Sequence, residues 1–222
     1  MKQFNKRLIT SLILLFVIAT SLNNLIMLLI LLILISILAL IEFNSLFKKI
    51  YKNENFLHLI SIILSLTYLL FFSLIIWNYI FPFENAQKIS IIFLLLICVS
   101  SDVGGYIFGK TLGGKKFTKI SPNKTYSGIL GSFMFSIIVG SFFYFKFDEF
   151  LILNQNFVIF IFVISLISQL GDLSISYIKR RAKIKDTGSI LPGHGGILDR
   201  IDGILLGIPV GLVYILILVF TG

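Results

Sequence analysis

The chain has 222 residues, of which 57% are hydrophobic and 13% are charged. A soluble domain of this length has about 45–50% apolar and about 25% charged residues, so one soluble core cannot hide this much apolar surface. The net charge of +9 does not indicate a nucleic-acid partner, because the basic residues lie in clusters between apolar segments. The composition therefore predicts an integral membrane protein that binds no nucleic acid.

The apolar segments predict an all-α, polytopic membrane bundle of about seven transmembrane helices. Residues 8–41 carry no charge and are too long for one span of about 20 residues. Ser21, Asn23 and Asn24 divide them into a helical hairpin, whose short first arm either spans with tilt or thinning of the bilayer or fails to span. A polar connection is predicted from Glu42 to Asn55. Five further spans are predicted at residues 56–80, 89–108, 128–145, 157–176 and 203–220.

The N-terminal residues allow two interpretations. Lys2, Lys6 and Arg7 precede an apolar stretch that ends in a faint cleavage-like sequence, as in a signal peptide. A second apolar run begins almost at once, at Leu25, which favours a retained first helix. We therefore expect N-terminal transmembrane helices over residues 1–88, followed by a catalytic transmembrane region with cytoplasmic loops over residues 89–222.

The distribution of lysine and arginine predicts the orientation of the spans. With the N-terminus in the cytoplasm, seventeen of the 19 basic residues lie on cytoplasmic segments, and Lys88 and Lys146 lie outside. Loops rich in lysine and arginine stay on the cytoplasmic side of a membrane. We therefore expect a multi-pass protein of the cell membrane whose two most polar loops, near residues 110–124 and 179–202, are cytoplasmic.

A polar stripe follows one face of the sixth predicted span. It consists, at helical spacing, of Ser165, Ser168, Gln169, Asp172 and Ser176. Hydroxyl and amide groups commonly form hydrogen bonds between transmembrane helices, whereas an intramembrane carboxylate is costly and marks a functional site. The stripe therefore predicts a face turned to the protein interior or a wet cavity, with Asp172 as a candidate functional residue.

The loop after the sixth span combines basic residues, glycines and carboxylates. Its basic part suits a polyphosphate or an anionic headgroup, and equally suits an ordinary cytoplasmic loop. His194 stands among glycines, where the backbone can approach a ligand closely. Asp199 and Asp202 are three residues apart at the start of the last helix; capping accounts for one carboxylate there, but not for two together with Arg200 and the glycines.

Polar residues also stand on both sides of the loop between the fourth and fifth spans. Ser121, Lys124 and Thr125 directly precede the fifth span, where they suit phosphate binding at the positive end of a helix or serve as ordinary turn and cap residues. The run Gly104–Thr111 matches the phosphate-binding loop of soluble nucleotide hydrolases. We reject that match, because the motif requires a preceding strand and here an apolar helix precedes it.

Three carboxylates and many cations are thus predicted on the cytoplasmic side. Asp199 follows Asp172 by 27 positions, and the loop between them is long enough to bring both carboxylates to one pocket. Two such anions repel each other unless a cation lies between them, and Mg²⁺ typically uses one or two carboxylates plus substrate phosphates. The residues alone therefore indicate phosphoryl or nucleotidyl transfer at a membrane surface.

The same residues resemble the signature of the phosphatidate cytidylyltransferase family. The segment reads Ser176-x-x-Lys179-Arg180, Lys185-Asp186, then Leu191-Pro192-Gly193-His194-Gly195-Gly196-x-x-Asp199-Arg200-x-Asp202. Upstream, Ser168-Gln169-x-Gly171-Asp172, residues 102–109 and Ser121-Pro122-x-Lys124-Thr125 are similar to the family as well. The resemblance covers about residues 90–222. The chain departs from the family pattern at Gly105, Asn123 and Ser127, and it is short, with fewer N-terminal spans than we expect of the family.

The resemblance implies an enzyme of phospholipid biosynthesis that uses Mg²⁺, CTP and phosphatidate, a membrane lipid, and forms CDP-diacylglycerol and pyrophosphate. It implies that Asp172 and Asp199 bind the metal and that Asp202 supports them. Phosphates would be held by Lys124, Lys179, Arg180 and Arg200. The other candidates are His194 as a catalytic residue and, for substrate binding, Asp102, Ser121, Thr125, Ser176, Lys185, Asp186, Gly195 and Gly196. A homodimer is left open.

Two other functions remain open at this point. A related lipid or polyprenol kinase that uses CTP is the first, and a transporter or channel with Asp172 as an ion site is the second. A transporter would carry carboxylates near the middle of the membrane and would not need the glycine-rich loop. The predicted position of the charges at the cytoplasmic boundary favours chemistry at the membrane surface.

Overall fold

The computed structural model describes residues 2–118, 120–121, 124–153, 156–190 and 195–221. Over these residues the chain forms seven α-helices and no β-strand, which confirms the predicted all-α class. A 3-10 turn, Asp148–Phe150, follows the fifth helix. The helices are α1 Lys2–Asn23, α2 Leu25–Ile50, α3 Asn55–Ile80, α4 Asn85–Thr111, α5 Tyr126–Lys146, α6 Phe157–Arg181 and α7 Leu198–Thr221.

The length and polarity of these helices fit a polytopic membrane protein, as predicted. Within the described chain six helices, α2 to α7, are long and apolar enough to cross a membrane. The apolar part of α1, Ile9–Asn23, is shorter; at 1.5 Å per residue it reaches about 22 Å, against about 30 Å of hydrocarbon. Large apolar side chains such as Phe16 and Phe142, 68% and 75% exposed, point outward, where lipid is their natural solvent.

The predicted hairpin at the N-terminus is confirmed, but its second arm is longer than predicted. Asn24 makes the turn, since its side chain caps α2 by accepting hydrogen bonds from the N–H groups of Ile26 and Met27. The predicted polar connection from Glu42 to Asn55 is wrong in extent, because α2 continues to Ile50. Leu46, fully buried, continues the buried face of the helix past Glu42. Two lysines in the last turn suit the negative end of the helix dipole.

The loop predicted between the last two spans is likewise shorter in the structure. Helix α6 continues to Arg181, so Lys179 and Arg180 belong to its last turn. Helix α7 begins at Leu198, so Asp199 lies in its first turn. Basic residues at a helix C-terminus and a carboxylate near an N-terminus are both favoured by the helix dipole.

The chain forms two compact units. The first consists of Met1–Phe81 and Ile178–Ile201. Within it α1 packs on α2, and α2 packs on α3. The hydroxyls of Ser36 and Ser73 are 2.8 Å apart and join α2 to α3. The predicted boundary between an N-terminal region, residues 1–88, and a catalytic region, residues 89–222, stays a prediction.

The second unit consists of Pro82–Tyr177 and Asp202–Gly222. Helices α4 and α5 approach closely through glycines: a Cβ atom added at Gly104 would lie 2.5 Å from the carbonyl oxygen of Gly131. Helices α6 and α7 do the same, since a Cβ at Gly171 would lie 2.5 Å from the carbonyl oxygen of Asp202. Small residues at helix contacts are typical of membrane proteins, where close packing replaces the hydrophobic effect.

Candidate active site

In the second unit Asp172 forms an ion pair with Lys124. The ammonium nitrogen of Lys124 lies 2.5 Å from Oδ2 of Asp172, and the two side chains are 23% and 25% exposed. The hydroxyl of Ser176, one helical turn further along α6, donates to Oδ1 of Asp172 over 3.2 Å. The predicted candidates Asp172, Lys124 and Ser176 therefore lie together, with a carboxylate that retains access to solvent.

The loop before α5 fixes the position of Lys124. The N–H of Phe117 donates to the carbonyl of Lys124 over 2.8 Å, and the N–H of Lys124 donates to the carbonyl of Ser121 over 3.0 Å. Thr125 caps α5, because its hydroxyl accepts a hydrogen bond from the N–H of Gly128 over 3.1 Å. The structure thus assigns cap and turn contacts to Ser121 and Thr125. These contacts place the lysine between them.

The polar stripe on α6 is buried as predicted. Ser165 and Ser168 are fully buried, and Gln169 and Ser176 are 8% and 7% exposed. The hydroxyl of Ser165 lies 2.9 Å from that of Ser101 on α4, which is the ordinary hydrogen bonding between membrane helices. This explanation covers Ser165, and Asp172 is accounted for by its lysine partner.

In the first unit Asp199 forms the second lysine–carboxylate ion pair of the described chain. The ammonium of Lys179 lies 2.7 Å from Oδ1 of Asp199, with side-chain exposures of 12% and 9%. Oδ2 of Asp199 accepts from the N–H of Thr187 over 2.9 Å and from the N–H of Gly196 over 3.1 Å. The Thr187 hydroxyl lies 3.1 Å from the same oxygen. Asp199 therefore reaches back from α7 and holds two distant points of the preceding loop.

Glu42 is the residue of this region that the sequence analysis missed. It lies on α2 and is 3% exposed, although the sequence predicts a polar connection at this position. Its Oε1 accepts from the N–H of Ile197 over 2.8 Å, and its Oε2 accepts from the N–H of Leu198 over 3.0 Å. Oε2 also accepts from the hydroxyl of Thr187 over 2.6 Å. A remote glutamate therefore caps the N-terminus of α7.

Two glycines of the signature have structural reasons that the sequence did not reveal. Gly195 has a φ of 86°, a conformation that other residues rarely adopt. At Gly196 a Cβ atom would overlap the Thr187 hydroxyl and lie 2.5 Å from Oε2 of Glu42. The sequence predicted that these glycines let backbone approach a ligand, and the structure shows that Gly196 lets backbone approach a buried carboxylate.

The remaining candidates are placed as follows. Arg180 is exposed and donates through Nη1 to the carbonyl of Ile184 over 3.3 Å. Asp202 is 9% exposed, and its Oδ1 accepts from the N–H of Gly203 over 2.9 Å. His194 lies outside the described residues. Exposed side chains are found at Asp102, Lys185, Asp186 and Arg200.

The two predicted metal ligands differ in how well they fit a divalent cation. Each carboxylate oxygen offers two lone pairs. Oδ2 of Asp199 already accepts from two backbone N–H groups and lies beside the Thr187 hydroxyl, and Oδ1 faces a lysine ammonium, so this carboxylate does not fit a cation as arranged here. Asp172 is more exposed and faces two donors, so it fits better. Among the described residues no group of three His, Cys, Asp or Glu side chains could hold a metal ion. The shared metal of Asp172 and Asp199 stays a prediction.

The comparisons with known proteins agree with the resemblance in the signature. A family model described as the cytidylyltransferase family matches residues 51–220. A phosphatidate cytidylyltransferase of Rickettsia bellii is 38% identical over 125 residues, which are 53% of this chain and 54% of that protein. One from Helicobacter pylori is 45% identical over 128 residues, 56% of this chain and 46% of that protein. One from Bacillus subtilis is 31% identical over 148 residues, 65% of this chain and 54% of that protein.

The fold and the charged residues define a multi-pass helical membrane protein with two ion pairs between lysines and carboxylates, formed by residues of α6, of the start of α7 and of the loop before α5. The chain belongs to the cytidylyltransferase family, because the family model matches well over half of it. It spans about half the length of the curated relatives that it matches.

Proposed function

We propose that this chain acts as a phosphatidate cytidylyltransferase of phospholipid biosynthesis. It would transfer CMP from CTP to phosphatidate and release pyrophosphate. The observation that carries the proposal is the family match over residues 51–220, together with relatives from several bacteria that bear this name. The geometry supports it, because two signature lysines are held beside signature carboxylates in a form that suits a phosphate chain.

The proposed reaction requires alignment and charge neutralisation more than proton transfer. A phosphate oxygen of phosphatidate attacks the α-phosphorus of CTP, a new P–O bond forms, and the bond from that phosphorus to the pyrophosphate oxygen breaks. The nucleophile is already anionic, so no strong general base is needed. An ammonium group has three donors. Lys124 and Lys179 each form one ion pair with a carboxylate. Each ammonium group therefore keeps further donors for phosphate oxygens.

Mg²⁺ is part of the proposal, with Asp172 as the carboxylate that would hold it. Mg²⁺ commonly keeps water and binds one or two carboxylates plus substrate phosphates. When bound, the ion neutralises charge on the triphosphate. Asp199 would join it only after exchanging some of its present protein donors, and in the arrangement described it serves to order the loop before α7.

The proposal places the protein in the cell membrane, with the N-terminus and the catalytic loops in the cytoplasm. The bias of lysine and arginine toward one set of loops supports this orientation. It suits the reaction, because phosphatidate lies in the bilayer and CTP is a polar nucleotide that reaches the loops from water. The proposal includes a homodimer, which the mass of the detergent-solubilised protein would test.

A direct assay tests the proposed function. Purified protein is incubated with radiolabelled CTP, phosphatidate and Mg²⁺, and we expect a lipid-soluble cytidine product and pyrophosphate, both lost when Mg²⁺ is chelated. The kinase alternative replaces ours if phosphatidate gives no product while a polyprenol or diacylglycerol gives a lipid monophosphate and CDP. Ion flux into vesicles that depends on Asp172, without any nucleotide product, would support a transporter.

A further inference from the structure

The buried carboxylate of Glu42 has no role in the proposed chemistry, yet it is fully engaged. Within the first unit it accepts hydrogen bonds from Thr187, Ile197 and Leu198 over 2.6–3.0 Å. Its partners are 145 to 156 positions away in sequence. A carboxylate that is 3% exposed in a protein interior is costly unless such donors satisfy it.

Glu42 and Asp199 divide the donors of one segment between them. The N–H of Gly196 points to Asp199, and the next two N–H groups, of Ile197 and Leu198, point to Glu42. The Thr187 hydroxyl lies 2.6 Å from Glu42 and 3.1 Å from Asp199. Because a hydroxyl has one proton, the shorter contact identifies Glu42 as its main acceptor. The two carboxylates thus hold Thr187 and residues 196–198.

Two glycines leave the space that the carboxylate of Glu42 occupies. A Cβ atom at Gly188 would lie 2.8 Å from Oε1 of Glu42, and one at Gly196 would lie 2.5 Å from Oε2. Both positions therefore require glycine as long as Glu42 occupies this place. The tight fit indicates that the backbone at Gly188 and Gly196 is shaped around Glu42 and not merely located near it.

We infer that Glu42 of α2 is a positioning residue: it fixes Thr187 and residues 196–198 at the start of α7 and, through them, the Lys179–Asp199 pair. The inference rests on the proposed function for its effect on activity, but its structural part does not. By this inference α2 contributes to the reaction in addition to spanning the membrane.

Hydrogen exchange of the purified chain tests the contact without any substrate. In Glu42→Gln one acceptor oxygen and the charge are lost, and we expect the amides of Ile197 and Leu198 to exchange at least about tenfold faster, because one amide oxygen cannot replace both carboxylate oxygens. The matched control is Asn44→Ala on the same helix, whose side chain is engaged by His58 over 3.0 Å. It should leave these amides unchanged. Unchanged exchange in both Glu42→Gln and Glu42→Ala would overturn the inference.

Turnover separates positioning from mere stability. At a temperature where Glu42→Gln and Asn44→Ala are equally folded, we expect kcat of Glu42→Gln to fall at least about tenfold, since small displacements of catalytic groups have effects of this size. Thr187→Val removes only the shared hydroxyl; it should lower kcat less and add little to Glu42→Gln. A folded Glu42→Gln protein with normal kcat would overturn the positioning role. If the wild-type chain makes no CDP-diacylglycerol, the proposed function fails while hydrogen exchange still decides the contact.

Discussion

Asp172 and Asp199 are carboxylates of one signature, but the protein surrounds them differently. Asp199 is 9% exposed and engages Lys179 together with donors from Thr187 and Gly196. Asp172 is 25% exposed and engages Lys124 and Ser176. Because Asp199 also orders a loop, substituting it disturbs structure and chemistry together. Substituting Asp172 separates the two effects more cleanly.

Asp172→Asn should remove most activity and leave the fold intact. The substitution keeps the shape of the side chain and removes the charge that a phosphate-bound Mg²⁺ would need. We expect a loss of at least about a hundredfold in turnover, on the order of 3 kcal/mol of transition-state stabilisation. The measurement is CTP-dependent lipid product formed by monodisperse protein. Asp148→Asn, at an exposed carboxylate of the same unit, is the matched control. Near wild-type turnover of Asp172→Asn would refute the proposed role.

Lys179→Gln should lower stability, because it leaves the carboxylate of Asp199 without its cation. Removing one partner of a fully buried pair costs about 3–5 kcal/mol. We expect about 2 kcal/mol here, since the N–H groups of Thr187 and Gly196 still satisfy one oxygen. Chemical or thermal unfolding in detergent measures the change. Lys183→Gln removes the same charge at an exposed position nearby and should have little effect. Equal stability of the two variants would contradict the prediction.

The sequence could indicate candidate catalytic residues, but not all of their neighbours. Asp172 could be predicted because a carboxylate within an apolar helix is costly and stands out. Glu42 could not, because it stands at the end of an uncharged run next to a lysine-rich stretch, where a charge normally marks the start of a loop. Its role depends on partners such as Leu198, 156 positions away, which no local pattern reveals.

At the scale of the helix, apolar length predicted the existence of each element and misjudged several ends. Residues 128–145 and 157–176 were predicted, and the helices are Tyr126–Lys146 and Phe157–Arg181. The predicted spans end where charged residues begin, but a helix ends where its backbone hydrogen bonds end. Lysine and arginine are favourable in the last turn of a helix, so α2 and α6 extend through theirs.

The glycines of α4 that imitate a phosphate-binding loop serve helix packing. Gly104 lies opposite Gly131, and Gly105 lies opposite Ser132, where an added Cβ would be 2.6 Å from the hydroxyl oxygen. All of Gly104–Thr111 is helical, as the rejection of the loop interpretation requires. The departure from the family at Gly105 therefore lies at a close contact between α4 and α5.

Gly131→Ala should destabilise the second unit. The new Cβ would overlap the side chain of Phe108 on α4, and overpacking of this kind typically costs about 1–3 kcal/mol. Leu130→Ala, at the adjacent position of α5, is the control, because Leu130 is 63% exposed and faces outward. Unfolding of both variants in the same detergent provides the comparison. A Gly131→Ala protein as stable as Leu130→Ala would contradict the prediction, because it would show that α4 and α5 can move apart at little cost.

For the whole molecule, the proposed chemistry requires that the loops bearing Lys116 and Lys185 share one side of the membrane. Six helices of the described chain are long enough to span, and α4 and α5 enclose the first of these loops while α6 and α7 enclose the second. If α5 and α6 both cross, two crossings separate the loops and they emerge on the same side. The side on which these two loops emerge relative to each other does not depend on whether the short helix α1 spans the membrane.

Cysteine labelling in sealed, oriented vesicles tests this topology. In a Cys98→Ala background, cysteines are introduced singly for Lys52, Lys116, Lys185 and Glu84, all of which are exposed. We expect an impermeant maleimide to label position 84 from the external side, and positions 52, 116 and 185 only after the vesicles are opened. The reason is the positive-inside bias, because seventeen of the 19 lysines and arginines lie on the predicted cytoplasmic segments. Labelling of position 116 from outside would reverse the orientation and remove the argument for CTP binding from the cytoplasm. Labelling of positions 116 and 185 from opposite sides would show that α5 or α6 fails to cross, and would contradict a catalytic role for both loops.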